Sequence, residues 1–193
     1  MKSKYHFFIV AFLLVGLCSN AQFVKKHGQL SVKGTQLVDK NQNPIVLRGV
    51  SFGWHSMWPR FYNAKAVDWL KKDFNCTVVR AALGIEIGEY PYLKATEFSK
   101  EKLEAVVKGA IKSDIYVIID WHILSDNNPN QYKDQAKQFF SQMSKKFNSY
   151  DNVIYEICNE PNGDTKWDKD IKPYANEIIP VIRKNAKDAV IIV

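Results

Sequence analysis

Val153-Ile154-Tyr155-Glu156-Ile157-Cys158-Asn159-Glu160-Pro161 is an apolar run of strand length that ends on an amide, an acid and a proline. It lacks regular polar alternation, the mark of a strand buried on both faces, as in a parallel sheet. Pro161 has no N–H to give to a ladder, so pairing stops there. Such a strand delivers Asn159 and Glu160 to the C-terminal edge of its sheet, where βα enzymes place their reacting groups.

Similar short runs recur along the chain: Ile45-Val46-Leu47, Thr77-Val78-Val79, Ile115-Tyr116-Val117-Ile118-Ile119 and Val190-Ile191-Ile192-Val193. Segments of helical period separate them. Residues 63–74 open on a capping-type Asn63 and place Ala66, Trp69, Leu70 and Phe74 on one face. A helix from Ser99 carries Leu103, Val106, Val107, Ala110 and Ile111. Residues 131–147 group Ala136, Phe139, Phe140 and Met143, and residues 171–186 repeat the pattern. Strand–helix alternation at this spacing predicts βαβ units with right-handed crossovers. Ahead of them, residues 29–39 read as a hairpin turning at Lys33-Gly34, able to cover the bottom of a barrel. The expectation is an α/β fold: a (β/α)8 TIM barrel, truncated after about four βα units plus a fifth strand. A complete barrel of this kind takes about 250 residues, roughly 200 at the least. The chain has 193, and its last apolar run reaches Val193 with no turn signal after it.

Composition narrows the function. With 46% hydrophobic and 24% charged residues the chain is globular rather than disordered. The net charge of +7 comes from scattered pairs such as Lys71-Lys72, Lys145-Lys146 and Arg183-Lys184 with acids between them. Those are solvated helix faces, not the clustered stripe that phosphate backbones demand, so no nucleic-acid partner is expected. The three cysteines lack the paired spacing of a zinc site, and no metal or cofactor is expected.

Residues 1–21 read as a signal peptide. Lys2 and Lys4 precede an uncharged apolar stretch over 7–17, too short to span a bilayer, and Ser19-Asn20-Ala21 offers a cleavage site. Residues 22–193 would then be secreted, extracellular or periplasmic, with no membrane anchor. The rival is a lipoprotein anchored through Cys18, which Leu17 weakens because a small residue normally precedes a lipidated cysteine. Cys76 and Cys158 should not be bridged. One enters its strand at the bottom and the other leaves near the top, some five residues of about 3.3 Å rise apart. A disulfide spans no more than about 7 Å between Cα atoms.

Three successive strands end on polar groups: Arg80, His122, and Asn159 with Glu160. Alone, each has an ordinary structural explanation: an ion-pair former, a satisfied core histidine, a turn at a strand end. Their convergence on one rim points to a site. Glu160 between partly apolar walls could have a raised pKa and act as a general acid. Asn159 can both donate to and accept from a sugar hydroxyl. Trp58, beside Pro59, offers a flat face for a pyranose. His55 lies next to it with a satisfied loop histidine as the alternative, and Trp54 is open between platform and core. Trp69, Trp121 and Trp167 read as packing residues.

These motifs carry a resemblance. Leu47-Arg48-Gly49-Val50-Ser51, Val79-Arg80, Val117-Ile118-Ile119-Asp120-Trp121-His122 and Ile154-Tyr155-Glu156-Ile157-Cys158-Asn159-Glu160-Pro161-Asn162-Gly163 resemble glycoside hydrolase family 5, most of all its bacterial endo-β-1,4-glucanases. Ile171-Lys172-Pro173-Tyr174-Ala175 and Ile179-Pro180-Val181-Ile182-Arg183 are similar to the same group. The resemblance implies a (β/α)8 barrel and a retaining mechanism on a β-1,4-glucan, with Glu160 as acid/base. It implies Asn159 on the sugar 2-OH, Arg80 supporting the nucleophile's carboxylate, His122 in the same subsite, and Trp58 and His55 in glycone subsites. Gly84 departs from the pattern, since many similar enzymes carry a tyrosine there. The nucleophilic glutamate that the family places on strand seven has no counterpart here, and Glu86, Glu89 and Glu156 are poor substitutes. The reading is the N-terminal portion of a secreted retaining endo-β-1,4-glucanase whose partner is a polysaccharide. A non-catalytic carbohydrate-binding remnant, or a family 5 enzyme for mannan, xyloglucan or another β-glucan, are the alternatives. The oligomeric state is not legible.

Overall fold

The computed structural model describes residues 22–193. The leader, its cleavage site and the Cys18 alternative therefore lie outside the described residues. Helix α1 (Phe23–His27) precedes the hairpin β1 (Ser31–Lys33) and β2 (Gln36–Val38). Then come β3 (Gly49–Trp54), α2 (Ala64–Phe74), β4 (Val78–Gly84), α3 (Thr96–Ser113) and β5 (Tyr116–His122). The chain continues through α4 (Lys133–Lys146), β6 (Val153–Glu156), α5 (Lys172–Arg183) and β7 (Ile191–Ile192). Strands β3 to β7 form one parallel sheet in sequence order, each beside its predecessor, as the staves of a barrel wall stand.

Local chemistry explains the elements. The Asn63 side chain accepts the Ala66 N–H at 2.9 Å, satisfying one of the orphan donors at the start of α2, and Asn75 closes the helix in the left-handed region. Pro173 sits in the first turn of α5, where a missing N–H costs nothing. On the strands, alternate side chains part to opposite faces. Val79, Ala81, Leu83, Val117, Ile119, Trp121, Val153 and Tyr155 pack beneath the helices against Val67, Leu103, Phe139, Tyr174 and Ile178. Arg80, Asp120, His122 and Glu156 have the opposite parity and share the other face of the sheet, the one a closed barrel would turn inward.

Several expectations shift. The first barrel strand is Gly49–Trp54, not Ile45-Val46-Leu47. Ile45 and Leu47 instead join Leu30 and Leu37 against Val78, Tyr116 and Ile154, so the hairpin segment does floor the sheet at its N-terminal end. Strand β4 runs on to Gly84, which places Arg80 within the strand rather than at its end. Helix α3 starts at Thr96, ahead of Ser99. Trp121 is fully buried as expected, but Trp69 and Trp167 are 53% and 55% exposed. The buried face of α2 is set by Val67, leaving Trp69 and Phe74 edge-to-face at 5.0 Å outside. Cys76 and Cys158 are both buried and unbridged, and burial pushes the Cys158 thiol up to about 12.

Candidate active site

Register brings the polar side chains together. Ala82 pairs with Asp120, Gly84 with His122, and Asp120 with Glu156, so β4, β5 and β6 present interior positions at matching heights. The Arg80 guanidinium grips Glu156 in a two-pronged bridge, Nε to Oε2 and Nη2 to Oε1, both at 2.7 Å. Nη2 also donates to Asn159 Oδ1 at 2.7 Å and lies 3.0 Å from Asp120 Oδ2. Asp120 Oδ2 in turn sits 2.6 Å from His122 Nδ1. The fork geometry suits arginine and no other residue.

The electrostatics follow from burial. Removal of Asp120 from water, with Glu156 nearby, pushes its carboxyl up to about 6 against the pull of His122 and Arg80. Burial works against the Arg80 charge, yet the hydrogen bonds to Glu156 and the Asp120 charge outweigh it and hold the guanidinium more firmly protonated than usual. Among the described residues Arg80 is thus already balanced by the carboxylates of Glu156 and Asp120. Glu156, a poor substitute for the nucleophile by its place in the sequence, is its main partner.

This network orients the groups that face the cleft. Asn159 accepts from Arg80 through Oδ1 and donates one N–H to the Ile123 carbonyl at 3.0 Å, which leaves its second N–H for a ligand. When Asp120 accepts from His122 Nδ1–H, Nε2 is left as an acceptor. Glu160 comes next on the rim. Among the described residues it is exposed and its carboxylate makes no hydrogen bond. The turn beneath it is pinned by Asn162, whose Nδ2 donates to the Glu160 carbonyl at 2.8 Å and the Leu124 carbonyl at 2.7 Å. Trp58 is 41% exposed, and its ring is near-parallel to that of Trp54.

His55 does not belong to the cleft. It is fully buried, its Nδ1 accepts the Gly84 N–H at 3.0 Å, and its Nε2–H is shared between Ser99 Oγ at 2.8 Å and the Tyr90 carbonyl at 3.1 Å. Both nitrogens are occupied, so the ring pins the end of β4 to α3 and cannot meet a sugar. Burial lowers its pKa to about 4. Because this lies below the ordinary value of about 6.5, the stability the neutral ring confers is complete above that pH and drains away as pH falls toward 4. Ring-nitrogen NMR should show the Nε2–H tautomer at pH 6 and a titration midpoint near 4. A midpoint near 6.5 would contradict the assignment.

Sequence does not single out Asp120 or Glu156 for this network, and it leaves Trp54 open between platform and core. Asp120 had a usable signal: it stands two residues before His122, and strand residues two apart share a face.

Comparison with known proteins meets this geometry. The family model described as Cellulase (glycosyl hydrolase family 5) matches residues 38–193. The chain belongs to glycosyl hydrolase family 5. It is 49% identical over 166 residues to an endoglucanase of Clostridium saccharobutylicum, covering 86% of this chain and 37% of that protein. It is 46% identical over 190 residues to Endoglucanase A of Evansella cellulosilytica, covering 96% of this chain and 38% of the relative. Among solved structures, one from Cytophaga hutchinsonii superposes with a TM-score of 0.84 at 42% identity, covering 89% of this chain and 54% of the other. The catalytic domain of Thermobifida fusca endoglucanase Cel5A, solved with cellotetraose, gives 0.83 at 37% identity, covering 89% and 55%. The chain thus spans about half of these family 5 domains and less of the curated relatives. Its parallel strands are the N-terminal part of a (β/α)8 TIM barrel.

Proposed function

We propose that this chain is the acid/base-bearing part of a secreted, retaining endo-β-1,4-glucanase acting on cellulose-type β-glucan, with residues 1–21 as its leader. The observation that carries the reading is the placement of Asn159 and Glu160 at the end of β6, against the Arg80–Asp120–His122 network on one rim. Relatives named endoglucanases, and a neighbour solved with cellotetraose, support the substrate class.

Glu160 protonates the glycosidic oxygen as the bond breaks, then takes a proton from the water that releases the sugar. Its open position suits a group that must meet both a leaving group and water. Asn159 offers its spare N–H to a hydroxyl of the sugar at the reacting carbon, and His122 Nε2 accepts from another. Trp58 supports an apolar sugar face. Retention needs a second carboxylate about 5–5.5 Å from the first. Glu156 is committed to Arg80, and Glu86 and Glu89 belong to the loop after β4, so the nucleophile comes from beyond residue 193. Arg80 Nη1, which makes no hydrogen bond among the described residues, is the atom left to support it.

The test uses the full-length enzyme and residues 22–193 side by side. The full-length enzyme should lower the viscosity of carboxymethyl-cellulose, and NMR of freshly cut cellotetraose should show the β-anomer first. Residues 22–193 alone should release no sugar. An α-anomer at early times would overturn retention. Sugar release by the shorter chain, abolished by Glu160→Ala, would overturn the need for an outside carboxylate.

A further inference from the structure

Strand β3 carries a defect at its upper end. Ser51 pairs with Arg80, but Trp54 pairs with Ala82: three steps along β3 match two along β4. One extra residue is accommodated there, with Gly53 in the left-handed region at φ +66°. This is a bulge, and a bulge reverses the parity of every side chain after it. Ser51 shares the interior face with Arg80. Without the bulge, Trp54 would point outward, toward the helices. With it, Phe52 packs outward against the helical core and Trp54 turns into the barrel mouth.

The surroundings are built to hold it there. The Tyr62 hydroxyl lies 2.5 Å from the Gly53 carbonyl and 2.9 Å from the Ala82 carbonyl, its proton shared between them, which clamps the bulge onto β4. Tyr62 itself is buried. A Cβ on Gly53 would come within 3.1 Å of the Trp58 ring. A Cβ on Gly84 would come within 3.2 Å of Trp54 Cδ1 and 2.4 Å of Ser56 Oγ. Both glycines are therefore the clearances in which the two indoles seat. The space above Gly84 is not empty, because Trp54 and Ser56 fill it.

The result is a continuous aromatic wall. Trp54 and Trp58 have ring centroids 6.3 Å apart and planes within 29° of each other. Trp54 then meets His122 edge-on at 5.0 Å and 86°. A half-buried indole between an exposed indole and a site histidine, on the interior face, is placed for a ligand with flat C–H faces and polar rims. We propose that Trp54 is a substrate-binding residue: its ring, aimed by the Gly53 bulge and seated over Gly84, stacks a glucosyl unit and sets how tightly the cleft holds the chain beside His122. The inference rests on the glucanase reading; sequence leaves Trp54 open between platform and core, and the bulge turns it to the platform side.

The experiment measures cellotetraose binding by calorimetry to the full-length enzyme in a Glu160→Gln background, which binds without rapid turnover. Trp54→Phe keeps a flat ring, Trp54→Leu keeps apolar bulk without one, and Trp69→Ala removes an exposed indole from α2. Losing one stacked sugar face should weaken binding about tenfold or more in Trp54→Leu. Trp54→Phe should stay within about threefold of the parent, and Trp69→Ala should not change it. Thermal unfolding of each variant shows that the fold is intact, and leucine and phenylalanine are chosen because both fill the slot over Gly84. Equal affinity in Trp54→Leu and the parent would overturn the inference while leaving the glucanase reading in place. Equal losses in the leucine and phenylalanine variants would also overturn it, since packing and not stacking would then be at issue. No cellotetraose binding in the Glu160→Gln parent would fail the glucanase reading itself, and this inference with it.

Discussion

Glu160→Gln in the full-length enzyme is expected to lower turnover of natural β-glucan by about 10²–10⁴-fold, the range general acid–base catalysis supplies. The loss should be greatest for poor leaving groups, which need the proton, and smallest for good ones. Stability should be nearly untouched. Glu160 is exposed, and its carboxylate makes no hydrogen bond among the described residues, so the change falls in the class of surface substitutions worth about 0.5 kcal/mol or less. Steady-state rates on glucan and on an activated aryl cellobioside, with a thermal melt beside them, separate the two effects. Turnover on glucan within about twofold of the parent would contradict the assignment.

Arg80→Met should be the most damaging change to the site's architecture. Glu156 and Asp120 would lose the guanidinium that binds both, and a buried pair broken on one side costs about 3–5 kcal/mol. Its pH dependence is diagnostic. Asp120 already holds its proton up to about 6 in the folded protein. A carboxylate raised above its unfolded value binds more protons when folded, so its contribution to stability falls as pH rises through that window. Without Arg80 this effect grows. Urea unfolding should show the variant's deficit larger at pH 8 than at pH 5, where protonation relieves the repulsion. A deficit below about 1 kcal/mol at both values would mean that the network is not held by charge.

What sequence could show, and what it could not, divides along contact distance. The Asn63 cap, the periodic faces of α3 and α4 and the buried runs of β5 and β6 are local patterns, and each produced the element expected. Strand β3 was missed because Gly49-Val50-Ser51-Phe52-Gly53-Trp54 has two glycines and little β-branching; its pairing with β4 makes it a strand. Ile45-Val46-Leu47 has the better composition, yet it lies against the floor with Val46 exposed. The rim was legible as a convergence of Arg80, His122, Asn159 and Glu160. Its wiring was not, since Arg80 and Glu156 stand 76 residues apart and His55 and Ser99 stand 44 apart. Nothing in a histidine beside two tryptophans tells that its ring is buried and its neighbour Trp54 faces the cleft. That outcome depends on a single extra residue in one strand.

The most direct test of the central claim, that Glu160 is the acid/base of a retaining site, is product analysis with azide. The Glu160→Gln enzyme is given an aryl cellobioside whose leaving group needs no protonation, so the glycosyl intermediate forms and then waits for a base it lacks. Azide needs no such base. The account predicts that azide speeds turnover several-fold and that the product is β-cellobiosyl azide, the configuration of the substrate retained. Unchanged turnover with no glycosyl azide, or an azide of inverted configuration, would contradict it.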